Sequence, residues 1–137
     1  MDSFAISSHV GVGPVRFGMT RQEVRRAFGA PYEPFSRTSG AEPADHFPTI
    51  PAFAYYSNEG RLEAVEFAPD ARVTLGELDL AEKAVSAAME LLAEADPQLE
   101  RDASGCISKG CGVGLWTEAG IEFQPQSIIV FARGYYD

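Results

Sequence analysis

Two carboxylates, Glu63 and Glu66, stand close enough in sequence to suggest acid and base work, in which one group holds a proton while the other accepts one. In a strand their odd spacing sends them to opposite faces, which argues against a shared reaction. Asp45-His46 and the scattered serines supply the residue types of a hydrolytic triad. No Gly-x-Ser-x-Gly elbow accompanies them, and His46 falls in a proline-rich stretch where rigid positioning is hard to achieve. Cys106 and Cys111 could close a disulfide across a short hairpin loop in an oxidising compartment, or remain reduced thiols in a cytosolic one. A zinc site needs about four ligands, and the only histidines, His9 and His46, lie far from both cysteines. Gly11-Val12-Gly13 and Gly110-Cys111-Gly112-Val113-Gly114 have the glycine density of a phosphate loop. Such a loop works by opening a helix, whereas both clusters lead into strand-like runs, so turns or bulges are the expected role. The residues therefore point to no metal, no cofactor and no enzymatic activity.

The richer set is aromatic and acidic together. Large, stiff aromatic side chains anchor interfaces, and surrounding carboxylates orient and accelerate the approach of a basic partner. The candidate partner-binding residues are Tyr55, Tyr56, Glu59, Glu63, Glu66, Trp116, Glu118, Glu122 and Tyr135, with Tyr136 beside them. Alternation along strands places some aromatics in the core, and Phe17, Phe28, Phe67 and Phe131 are assigned there.

Charge agrees with that choice. Eleven Lys and Arg against twenty Asp and Glu give a formal net charge of −9, which disfavours nucleic acid or an anionic membrane. The imbalance is regional: residues 1–30 set Arg16, Arg21, Arg25 and Arg26 against Asp2 and Glu23, and the acid lies beyond them. An apolar content of 45% over 137 residues supports a packed core without staples, and no apolar run approaches the roughly 18 to 20 residues that span a bilayer. Met1-Asp2-Ser3-Phe4-Ala5-Ile6 carries an acid where a signal peptide has a basic region, so a cytoplasmic location is expected.

The elements that must position these residues form a pattern that occurs twice within one domain over 1–137, with halves of about 13–70 and 71–134. Val15-Arg16-Phe17-Gly18 leads into a helix over Met19–Phe28, opened by a capping box, Thr20 with Glu23, and closed by Gly29 and Pro31. Val73-Thr74-Leu75-Gly76 leads into a second helix over Asp79–Ala95, where Asp79 and Glu82 have the same spacing, and Asp96-Pro97 stops it. The first helix precedes a hairpin, Ala52–Tyr56 with Arg61–Phe67 about the turn Ser57–Gly60, and the second a hairpin joining Leu115-Trp116 to Ile121–Phe123. Strands at Phe4–Ile6 and Ile128–Ala132 complete the set, and prolines 31, 34, 43, 48 and 51 with the tract Ser36–Gly40 mark 30–51 as a long loop and candidate contact region. The expected fold is α+β: a mostly antiparallel sheet, two helices on one face, and the other face open. Such a tandem unit usually serves as a binding surface.

The segment Phe17-Gly18-Met19-Thr20-Arg21-Gln22-Glu23-Val24, closing at Phe28-Gly29-Ala30-Pro31, resembles the Gly-Met-Thr/Ser-x-x-x-Val…Leu-Gly-x-Pro signature of the SmpA/OmlA domain. That domain is a small helix-and-sheet module of outer-membrane assembly lipoproteins, and beta-lactamase inhibitor protein carries a related unit twice. The second half departs from the signature, with Glu77-Leu78-Asp79 in place of the Met-Thr pair, and no lipobox cysteine lies near the start. The resemblance implies a tandem module whose sheet clasps another protein. Together with size and acidity it resembles the immunity proteins that bacteria make against toxins, and the expected function is an inhibitor that covers a basic toxin. The alternatives are a small-ligand carrier, with an apolar cavity between helices and sheet, and an assembly module pairing through an edge strand over Ile128–Tyr135.

Overall fold

Alternation in Ser3-Phe4-Ala5-Ile6-Ser7 makes β1 (Ser3–Ser7), with Phe4 and Ile6 buried and the residues between them exposed. The computed structural model describes residues 3–36, 40 and 42–136. After β1 come β2 (Gly11–Val12), β3 (Val15–Arg16), α1 (Arg21–Phe28), β4 (Glu33–Phe35), β5 (Ala44–Phe47), β6 (Ala52–Tyr56) and β7 (Leu62–Phe67). The chain continues through β8 (Arg72–Leu75), β9 (Leu78–Asp79), α2 (Val85–Ala95), β10 (Glu100–Asp102), β11 (Gly105–Ser108), β12 (Val113–Trp116) and β13 (Ser127–Phe131).

The fold is α+β with two sheets. A five-stranded sheet runs β3-β2-β1-β8-β9, in which only the β1–β8 pair is parallel. An antiparallel eight-stranded sheet runs β10-β11-β12-β13-β7-β6-β5-β4. Each helix is followed in the chain by a four-stranded meander, and the two meanders join where β13 pairs with β7. One face of the large sheet presents Val65, Phe67, Ala54, Val130 and Leu115 to a core shared with Val24 of α1, with Val85, Ala88, Met89 and Leu92 of α2, and with Phe4 and Val73 of the small sheet. The opposite face carries a smaller cluster, Ala44, Tyr55, Ala64 and Phe131, and is left open beyond it. Phe67 joins the helix-side core as expected, whereas Phe131 belongs to the outer cluster under Tyr135 and Tyr136.

The first helix begins as its spacing predicts. Thr20 accepts from the Glu23 amide at 3.3 Å, the Glu23 carboxylate accepts from the Thr20 amide at 2.9 Å, and Gly29 closes the helix with a φ of 59°. The second helix does not. It starts at Val85, and Asp79 instead lies in β9, accepting from the Ala81 amide and pairing with Arg72. The free amides of its first turn reach across the chain: Val85 donates to the Phe123 carbonyl at 2.9 Å and Ser86 to the Ile121 carbonyl at 2.7 Å. Residues Ile121–Phe123 are therefore a loop that caps α2, and the partner of β12 is β13, so the expected second hairpin does not form.

Two more expectations change. The stretch 30–51 contains β4 and β5, with Pro34 in an edge strand and Pro43, Pro48 and Pro51 flanking strands rather than breaking them. Residues 37–39 of the serine-rich tract lie outside the described residues, as do Met1 and Asp2. Ile128–Phe131 is no edge, because β13 sits between β12 and β7. Among the described residues no helix is long and apolar enough to cross a membrane.

Candidate functional site

The open face owes its shape to two glycines. Gly105 lies directly opposite Trp116, and Gly114 lies between Ile107 and Ile129, so the sheet surface falls to bare backbone where its neighbours raise side chains. A Cβ at Gly105 would come 1.9 Å from the Leu115 carbonyl oxygen, and one at Gly114 would press on Ile129 at 3.0 Å. The result is a groove of about 790 Å³ that crosses β10, β11, β12, β13 and β7. Gly114, in a cluster whose glycine density suggests turns or bulges, is a floor residue of the strand β12.

Aromatic side chains form the walls. Trp116 is 45% exposed on this face. On the far side the segment after β13 folds back, held by the Tyr135 amide donating to the Ala132 carbonyl at 3.1 Å. This places Tyr135 and Tyr136 against Phe131 with ring centroids 6.1 and 4.8 Å away, and against each other at 4.9 Å. Tyr55 lies buried at the inner end.

Carboxylates set the sign of the groove. Glu66, half-buried on β7, receives the hydroxyl of Tyr55 on one oxygen and that of Ser127 on the other, both through short hydrogen bonds. At the rim stand Glu100 and Asp102 of the edge strand β10. Glu100 lies 3.8 Å from Lys109 between exposed side chains, a loose pair, while Asp102 gives one oxygen to the turn amides of Ser104 and Gly105. Arg101 is the one cation among the described lining residues. Cys106 also borders the groove, and burial pushes its thiol up to about 11, so it is protonated and unreactive near neutrality. Both cysteines are buried and unbridged, which removes the possible disulfide from this structure.

No family model, no curated protein and no solved structure matches the chain.

Of the residues chosen from sequence, Tyr55, Glu66, Trp116 and Tyr135 come together in the groove. The rest do not line it. Tyr56 points to the other face, where its hydroxyl donates to Asp45 at 2.9 Å, because successive strand residues alternate sides. Glu59 is exposed in the β6–β7 turn, and Glu118 and Glu122 are exposed in the loop after β12. Glu63 is half-buried beside the β-bulge at Tyr55/Tyr56. Tyr136, set beside the candidates, lines the groove as well, whereas Glu100 and Asp102, whose short charged strand has no apolar signal, were missed from sequence together with Ser127 and Ile129.

Asp45 and His46, once considered together, occupy opposite faces of β5. His46 stacks on Phe53 with ring centroids 4.5 Å apart, while Asp45 is fully buried under α1. Arg25 grips Asp45 through both oxygens at 2.9 and 2.8 Å and lies 4.0 Å over the Tyr32 ring. The hydrogen bonds to Asp45 raise the Arg25 pKa, and burial, followed by the neighbouring Asp45 charge, raises that of Tyr56. Arg21 in turn pairs with Glu42 at 2.7 Å. The basic helix is thus partly neutralised from within, and the arrangement is a clamp between α1 and the sheet, without reactive geometry.

Proposed function

We propose that this chain binds a protein partner through the open face of its large sheet, and that it acts as an inhibitor of the immunity-protein kind, covering a basic toxin. The observation that carries the reading is the exposed Trp116 set among Tyr135, Glu66, Glu100 and Asp102, an aromatic anchor inside an acidic rim. The chain's net charge of −9 favours approach of a basic surface, and the resemblance of residues 17–31 to the SmpA/OmlA signature supports a binding module. The groove's volume also suits a small ligand, which keeps a carrier as the second reading. Affinity capture from the native host, with wild type and Trp116→Ser compared by mass spectrometry, separates the two. One basic protein, encoded beside this chain and lost with Trp116→Ser, is the expected result; a protein that stays alone or copurifies with a small molecule overturns the inhibitor reading.

A further inference from the structure

Two carboxylates on strands of the large sheet, one on each face, are treated differently. Asp45, on the helix side, is neutralised by a bidentate arginine. Glu66, on the open side, is held only by two neutral hydroxyls, and among the described residues no Lys or Arg forms an ion pair with it. Each Glu66 oxygen accepts one hydroxyl and retains a second acceptor direction, so the pair of oxygens can receive two further parallel donors. Two aromatic side chains, Trp116 and Tyr135, line the same groove.

We infer that the groove is an arginine-binding subsite, which takes a guanidinium side chain projected by the partner into the space between Trp116 and Tyr135 and seats it on Glu66. This rests on the protein-binding reading above and names the chemistry the partner must present. A guanidinium fits better than an ammonium because it is planar, stacks on rings, and meets a carboxylate through two donors at once. Glu100 and Asp102 at the rim leave the lining with more negative than positive charge even with Arg101 counted, so the entering side chain must be cationic.

The chain contains one tryptophan, and it stands in this groove, so its emission reports occupancy. The test titrates the capped tripeptide acetyl-Ala-Arg-Ala-amide against the intact chain, with the lysine and citrulline peptides in parallel. Expected is a saturable change in Trp116 emission for arginine, weaker binding for lysine, none for the uncharged citrulline, and loss of affinity with added salt. Glu66→Gln, which keeps an acceptor for the hydroxyls, should weaken arginine binding roughly tenfold. Glu77→Gln changes net charge equally but lies between β8 and β9 of the small sheet, outside the groove, and should leave affinity within about twofold. No saturable change with arginine, an equal response to citrulline, or equal losses in the two variants overturns the subsite. If circular dichroism shows that Glu66→Gln has not folded, the arginine-to-citrulline contrast in the wild type decides. If the arginine peptide leaves Trp116 unmoved while a captured partner is still lost with Trp116→Ser, the subsite falls and the protein-binding reading stands.

Discussion

Replacing Asp45 with alanine should be among the most damaging changes outside the apolar core, and the structure supplies the size of the loss. The substitution removes the acceptor of three hydrogen bonds, two from Arg25 and one from Tyr56. Tyr56 is 4% exposed, so water cannot replace the lost partner, and a stranded buried hydroxyl costs about 1–3 kcal/mol. The Arg25 side chain is 23% exposed and can partly rehydrate, which holds its share to about 1–2 kcal/mol. The total, about 3 kcal/mol, falls at the low end of what breaking a buried pair costs and is a large part of the roughly 5–15 kcal/mol that stabilises a domain. Urea unfolding followed by far-ultraviolet circular dichroism reads it directly. The same measurement on Arg25→Ala and on the double variant isolates the pair. Because either single change already strands the other partner, the double loss should fall short of the sum by about 2 kcal/mol. A loss below about 1 kcal/mol for Asp45→Ala, or costs that add to within about 0.5 kcal/mol, would refute the clamp.

Gly105→Ala should be severely destabilising, by more than about 3 kcal/mol, because the new Cβ meets the Leu115 carbonyl oxygen at a φ of 153°; an unchanged urea midpoint would contradict the close approach. With its pKa raised from 9.0 to about 11, the Cys106 thiol should react with iodoacetamide at pH 8 at least about 100-fold more slowly in the native than in the unfolded chain, and comparable rates by mass spectrometry would sink the assignment. The same shift makes Cys106 contribute stability that is fully present below pH 9.0 and lost as pH rises through about 11, a slope that Cys106→Ala should flatten. Asp96 has the opposite sign. The Ser108 hydroxyl holds its carboxylate below the ordinary 3.8, so its contribution is present above that value and fades as pH falls further, and Ser108→Ala should reduce the loss seen in an acid titration of stability.

What could be read from the residues was what depends on near neighbours. The Thr20–Glu23 capping box, Gly29 and the β6–β7 hairpin are local devices, and they appear where spacing puts them. The start of α2 was misjudged because its caps are carbonyls from residues 121 and 123, far along the chain, while Asp79 satisfies Ala81 and Arg72 instead. Prolines around 30–51 look like strand breakers, yet Pro34 lies in an edge strand that leaves its missing N–H harmless, and the others bracket β5 and β6. The groove was half legible. Strand alternation brings Tyr55, Glu66 and Trp116 to one face, but the same rule sends Tyr56 away, and adjacency in sequence hid that. The floor escaped notice because its signal is missing side chains, at Gly105 and Gly114, and the rim because Glu100-Arg101-Asp102 looks like a solvated turn.

The central place of β13 has a consequence for how the chain comes to be made. Synthesis releases β4–β7 and then β10–β12 before the strand that joins them, so until β13 emerges both β7 and β12 offer an unpaired edge, and the two meanders have no common surface. The open face is in the same position. Its floor is assembled from β7 on one side and β10–β12 on the other, so the groove comes into being only when the seam between them is closed, and a chain halted before Ser127 would hold both banks of the groove without a channel between them.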